Sequence, residues 1–195
     1  MFPEQIIIIG VLINLLCSFW YIKNVLKGDT RPNPISWFIW SLAPFVGVFL
    51  QLKAGAGWAV MGVFMAGFAP LLVVIFTLFK KNTFWKIKSL DIVCGIFSVL
   101  ALIIYIVTSN LAISILFAII SDFLAYIPTF VKTWKNPETE TSSVYLGGII
   151  NNFISLFIIR NWAFAIYSFP IYLILANIVE ISFIYRKKII SYFSF

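Results

Sequence analysis

The run Ile92–Ser121, IVCGIFSVLALIIYIVTSNLAISILFAIIS, carries no charge over 30 residues. A helix crossing the hydrocarbon core of a bilayer uses about 20 residues, with about 17–25 as the working range. One crossing cannot absorb the whole run. Thr108-Ser109-Asn110 is its one cluster of turn-forming polar residues and divides it. This places one span near Leu90–Val107 and the next near Leu111–Val131, and the count of all the others follows from that division.

Upstream, charge-free windows predict spans near Ile6–Leu26, Pro34–Gln51 and Trp58–Phe79; downstream they predict Ser143–Ile159 and Trp162–Tyr185. The first window follows Glu4 with no basic segment before it, which argues for a true span over a cleaved leader. Composition agrees: 62% of the 195 residues are hydrophobic and 11% are charged. Soluble domains average roughly 45–50% and 25%. A periodicity test separates helix from strand poorly when a segment is apolar all round. Segment length and the cost of unpaired backbone in lipid decide for helices. The expected fold is an all-α integral membrane protein with seven transmembrane helices.

Charge then orients the chain. With the N-terminus outside, the inner loops and tail collect Lys23, Lys27 and Arg31, then Lys80, Lys81, Lys86 and Lys88, then Lys132 and Lys135, and finally Arg186, Lys187 and Lys188. Only Lys53 and Arg160 fall outside. Such a bias is the ordinary mark of cytoplasmic loops, so the net charge of +7 reads as topology and not as a nucleic-acid surface. The expectation is a multi-pass protein with its C-terminus in the cytoplasm. The absence of histidine excludes imidazole metal sites, Ser-His triads and histidine proton shuttles. Cys17 and Cys94 lie in apolar stretches without metal or redox spacing, so no metal or cofactor is expected.

An offset of 108 residues pairs Asn14 with Asp122, Lys27 with Lys135, Trp37 with Tyr145, Phe45 with Phe153 and Phe49 with Phe157. Spans one to three and five to seven each run helix, basic inner loop, helix, short outer loop, helix. The fourth returns the chain outward. The predicted arrangement is 3+1+3, two parallel three-helix bundles: residues 1–80, a linker with the fourth helix over 81–110, and residues 111–195 with a short tail.

In this arrangement, and in the segment Tyr126-Ile127-Pro128-Thr129 before the basic run Lys132-Thr133-Trp134-Lys135, the chain resembles the SWEET and PQ-loop membrane transporters. Thr129 stands where that family has glutamine; Leu71 and Ile171, after Pro70 and Pro170, stand where SWEETs have asparagine. The resemblance implies alternating access by two rocking bundles around a midplane site.

Within so apolar a chain the informative residues are polar ones at mid-depth, because an ionisable group at the bilayer centre costs about 2.5–3.5 kcal/mol and so faces a cavity or a partner. Asp122 lies near the centre of the fifth span, with Tyr126 one turn on; the repeat matches these to Asn14 and Ser18. Asn151-Asn152 lie in the sixth span, with one of the two expected to face the axis, and Asn177 lies in the seventh. These seven are the candidate substrate-binding residues. Trp40 and the in-span prolines Pro44 and Pro128 are candidate gate or hinge positions, since proline frees a carbonyl and permits bending. Trp20, Trp37, Trp58, Trp85, Trp134 and Trp162 fall near span ends and read as interface anchors. Glu180, closer to the inner boundary and to Arg186, reads as a structural or interfacial residue.

The expected function is transport of a small polar or cationic solute, with a proton as candidate co-substrate. A sorting receptor or sensor of the same fold, as in the KDEL receptor, is the alternative. The short loops and tail offer little surface for one, and a homo-oligomer stays open. No lysine lies between Trp162 and Tyr185 for a retinal link, and no nucleophile or paired-acid motif suggests an enzyme.

Overall fold

The computed structural model describes residues 3–78, 83–108 and 110–193, with the side chains of all but 105, 189 and 191–193. Phe79, Lys80, Lys81 and Ser109, which entered the span and charge assignments, lie outside the described residues. The described chain is all-helical: α1 (Ile7–Lys27), α2 (Pro34–Trp40), α3 (Ala43–Lys53), α4 (Met61–Leu78), α5 (Ser89–Val107), α6 (Leu111–Lys135), α7 (Ser143–Phe157) and α8 (Phe164–Phe193), with short 3-10 turns between some of them.

Local chemistry sets the boundaries. α1 ends at Gly28, whose φ of 93° is left-handed and cheap only without a Cβ; its N–H and that of Asp29 turn back to Asn24 O. Asn33 caps α2 by accepting from Ile35 N and Ser36 N, with Pro34 preset at the first helical position. In the long apolar run α5 stops at Val107, and Asn110 caps α6 by accepting from Ala112 N and Ile113 N.

The second predicted span is not one helix. It breaks at Ser41-Leu42 into α2 and α3, because Pro44 has no N–H for the carbonyl of Trp40 and its ring crowds that turn. Pro128 and Pro70 are instead accommodated inside continuous helices.

Among the described residues, five helical segments are long and apolar enough to cross a membrane: Glu4–Lys27, Pro34–Lys53, Gly57–Leu78, Leu111–Lys135 and Phe164–Lys188. The apolar helices α5 and α7 are shorter; α7, with 15 residues, rises about 22 Å. Polarity is distributed inside out. Leu16, Phe19, Ile96, Phe97, Phe153 and Phe157 are half or more exposed, while Asn14, Ser18, Asp122, Asn151, Asn152 and Glu180 are buried. An outer apolar surface of this extent belongs in lipid, consistent with an all-α membrane protein.

α4 packs against α1 on one side and against α2 and α3 on the other. In the same way α8 packs against α6 and α7. Between these groups α1 lies along α7, and α2 and α3 lie along α6, while α5 covers α6. The α1–α7 seam is built on small residues: a Cβ on Gly147 would come within 2.7 Å of Cys17 Cβ and 3.1 Å of the Asn14 backbone. Close backbone approach of this kind is how helices adhere in lipid, where no hydrophobic drive separates helix from tail.

Gly147→Val should force the two helices apart and cost about 1–3 kcal/mol, read as an earlier thermal transition in detergent. Leu146→Ala, on the outward face, should stay within about 0.5 kcal/mol of wild type.

Candidate functional site

A cavity of about 50 Å³ lies where α1, α2, α4, α6, α7 and α8 meet. Asn14, Trp37, Trp40, Asp122, Tyr126, Tyr145, Asn152 and Asn177 line it, with Met65, Ala69, Gly148 and Leu173. The volume suits ordered water and is too small for a sugar or an amino acid.

Most of its polar groups hold one another. Tyr172 Oη donates to Asp122 Oδ2 at 2.8 Å, and Trp40 Nε1 donates to the Asp122 carbonyl at 3.4 Å. Tyr126 Oη donates to Asn177 Oδ1 at 2.8 Å. A Cβ on Gly148 would come within 2.7 Å of Asn177 Nδ2, so the missing side chain there is what seats that amide. Two lining groups are left over: buried Trp37 Nε1, a donor, and Asn152 Oδ1, an acceptor, have no hydrogen-bond partner. An orphaned buried polar atom costs about 1–3 kcal/mol, and an occupant able to accept from one and donate to the other would recover it.

Of the residues singled out in the sequence, Asn14, Trp40, Asp122, Tyr126, Asn152 and Asn177 come together here. Ser18 is buried beside the site and donates to Asn14 O at 2.7 Å. Asn151 points into the seam between α7 and α4, donating to Gly62 O at 3.2 Å. Pro44 packs against Gly67 at the break between α2 and α3, and Pro128 is buried in α6; neither lines the cavity. One expectation needs correcting. Trp37 is no interface anchor: it is 1% exposed and lines the cavity, because α2 begins at Pro34 and turns inward at once. Of the structural and interfacial roles open to Glu180, its burial fits the structural one, and its partner is not Arg186. It is buried and accepts from Thr133 Oγ1 at 2.5 Å, while Arg186 stacks on Trp134 with its guanidinium 4.9 Å from the ring.

Next to the cavity, toward the end bearing Lys27 and Arg31, sits a polar lock that sequence reasoning missed. Glu140 Oε1 accepts from Tyr21 Oη at 2.6 Å and from Tyr145 Oη at 2.9 Å, and its other oxygen pairs with Lys132. Lys132 Nζ also donates to Arg31 O at 2.9 Å. The pair is essentially unexposed. Arg31 N to Thr139 O at 3.0 Å, the Thr30–Thr141 hydroxyl contact and Thr129 Oγ1 to Ser36 Oγ at 3.0 Å extend the closure. Apart from the Glu140 contacts with Tyr145 and Lys132, these join the α1–α2 region to the α6–α7 region. Glu140 and Lys132 read in sequence as ordinary loop charges; the only signal nearby was the Trp37–Tyr145 pairing of the repeat.

Aromatic rings connect lock and cavity. Tyr21 lies 4.7 Å from Trp37 between centroids, Trp37 5.6 Å from Trp40, and Trp40 4.3 Å from Tyr126. Among the described residues no group of His, Cys, Asp and Glu could hold a metal ion.

Glu140→Ala would strand a buried ammonium and two tyrosine hydroxyls, and should cost about 3–5 kcal/mol. Glu140→Gln with Lys132→Met keeps acceptors for the tyrosines and should recover most of that loss, as read by thermal unfolding in detergent. No family model matches the chain, and no curated protein or solved structure matches it.

Proposed function

We propose that this protein is a transporter of a small polar or cationic solute, working by alternating access around the cavity at Asp122. The observation that carries the reading is the cavity's position. It lies between two groups of helices that pack alike, and it is closed by paired side chains at one end. Three further features support the 3+1+3 arrangement. α4 and α8 each lie at the centre of their group. The cross-contacts fit it in part: a two-fold operation that carries α1 to α6 and α2–α3 to α7 turns the α1–α7 contact into the contact of α6 with α2–α3, whereas the α4–α7 contact has only a slight counterpart between α8 and α3. The 108-residue offset also pairs lining residues across the cavity: Asn14 with Asp122, Trp37 with Tyr145, Trp40 with Gly148, Met65 with Leu173 and Ala69 with Asn177.

The lining favours a cation. Asp122 supplies the acid, Trp37, Trp40 and Tyr126 supply ring faces, and Asn14, Asn152 and Asn177 supply amides. A solute ammonium would displace the Tyr172 hydroxyl from Asp122 and use Asn152 Oδ1 as a further acceptor. Admission requires parting of the groups at one end. The lock on Glu140 holds the Lys27–Arg31 end shut, which by the distribution of basic residues is the cytoplasmic end. The break at Ser41-Leu42 is a place where the second crossing can bend as the lock opens. A carboxyl at Asp122 can also carry a proton, so exchange of solute for proton at that atom is part of the proposal.

The test begins with a thermal-stability screen of purified protein against amines, amino acids, sugars and vitamins, because a ligand of the folded state alone raises its stability. Hits go to uptake assays in proteoliposomes. The expected result is uptake of a cationic hit that responds to a pH gradient, with Asp122→Asn abolishing the response and Asn152→Ala weakening the stability shift. Uptake indifferent to the gradient removes the proton. A shift that survives both variants removes the site. Binding without uptake turns the reading into the receptor alternative.

A further inference from the structure

On the face away from the transport cavity, α2, the end of α4 and the first half of α5 enclose a groove of about 680 Å³ lined by apolar side chains alone. Ile35 and Phe38 form one wall, Val74 a second, and Ile96 and Val99 the third. The helices are held at this spacing by a close approach: a Cβ on Gly95 would come within 2.7 Å of Ile35 Cγ2. A groove of this kind in a membrane protein faces hydrocarbon.

One end of it is not apolar. Phe84 lines both the groove and a second hollow of about 460 Å³, whose other lining residues are Arg31, Trp85, Lys86 and Lys88. The segment that carries them is fixed in place, with Trp85 N donating to Pro32 O at 2.9 Å and Lys88 Nζ resting 5.3 Å from the Trp85 ring. Lys88 is also the N-cap of α5, so the positive end of that helix faces the same hollow. The acid on that first turn, Asp91, is buried and accepts from Lys88 N at 2.6 Å. Among the described residues no ion pair joins Arg31, Lys86 or Lys88 to a carboxylate, so none of the three basic side chains in the hollow is neutralised there.

We propose that the groove and the hollow together form a binding site for one anionic diacyl phospholipid. Its acyl chains lie along Phe38, Ile96 and Val99, and its phosphate meets Arg31, Lys86 and Lys88. The guanidinium of Arg31 can grip two phosphate oxygens at once, and the two ammonium groups act as point charges beside it. Trp85 sits at the junction, at the headgroup level that tryptophan favours. Apolar lining selects for chains, the three cations select for net negative charge, and the shared Phe84 requires both in one molecule. A bound lipid would brace α2, the helix that carries Trp37 and Trp40 to the cavity, against α5.

The test uses the full-length protein in a neutral detergent, with lipid binding followed by native mass spectrometry and by thermal unfolding. The probes are phosphatidylglycerol, phosphatidylcholine with the same chains, and soluble glycerol phosphate. Each basic residue near a lipid surface strengthens anionic binding about fivefold. Phosphatidylglycerol should therefore act at concentrations on the order of tenfold to a hundredfold below phosphatidylcholine. The combined variant Arg31→Gln, Lys86→Gln, Lys88→Gln should bring the two lipids level. Val99→Trp, which fills the groove and leaves the charges in place, should weaken both, and it serves as the second test if the triple variant does not fold. Equal response to the two lipids in wild type overturns the proposal. So does a preference that survives the triple variant, an unchanged response in Val99→Trp, or an equal shift with glycerol phosphate. None of these outcomes depends on Asp122 or on transport.

Discussion

Lipid cannot hydrogen-bond, and this constraint organises the whole molecule. Each polar group on a span must find its partner among the other helices, and each lipid-facing position must be apolar. Hence Leu16 and Phe19 face outward on α1 while Asn14, Ser18 and Tyr21 on the same helix are buried. The interior polar groups become the specific contacts between helices: Asn151 to Gly62 O, Ser155 to Ala59 O at 2.6 Å, Thr133 to Glu180. Shape does the remaining work, with glycines at 62 and 147 admitting neighbouring side chains that any Cβ would strike.

The same constraint bears on the Glu140 lock. A buried carboxylate and ammonium are stable only with their hydrogen bonds complete, so partial opening is expensive and full opening into water is not. Tyr21 and Tyr145 tie this state to the cavity. Tyr145 lines the cavity with its ring and holds Glu140 with its hydroxyl, and Tyr21 stacks on Trp37, which also lines it. An occupant that displaced Trp37 would disturb the ring that supports the lock. That is the physical route by which occupancy at the centre and closure at one end could be coupled, and it runs through contacts between the α1–α2 and α6–α7 regions.

Much of the helical layout is legible in the sequence because it rests on local chemistry. Thr108 to Asn110 divides the long apolar run since Asn110 is a competent cap, and Pro34 starts a helix since its missing N–H is unneeded there. Asp122, Tyr126, Asn152 and Asn177 are legible as site candidates because a polar side chain at mid-depth has few alternatives. Other features were not. Pro44 marked a bend, but proline also sits inside continuous helices at 70 and 128, so residue type alone did not say that α2 and α3 would part at Ser41-Leu42. Trp37 sat near a predicted span end and looked like an anchor, yet α2 carries it inward. Tyr172 gave no signal on a helix full of aromatics, although it is the partner of Asp122.

The sequence alone determined the solvent, the number and approximate limits of the apolar segments, the asymmetry of basic residues and the short catalogue of interior polar groups. These follow from composition and from interactions spanning a few residues. Tertiary structure decided which of those polar groups meet. Lys132 and Glu140 are eight residues apart and still look like loop charges until Arg31 and Tyr21, from distant parts of the chain, and the nearby Tyr145 close over them. Burial is a property of the packed assembly, and it turns the same two side chains from a solvated pair into a lock.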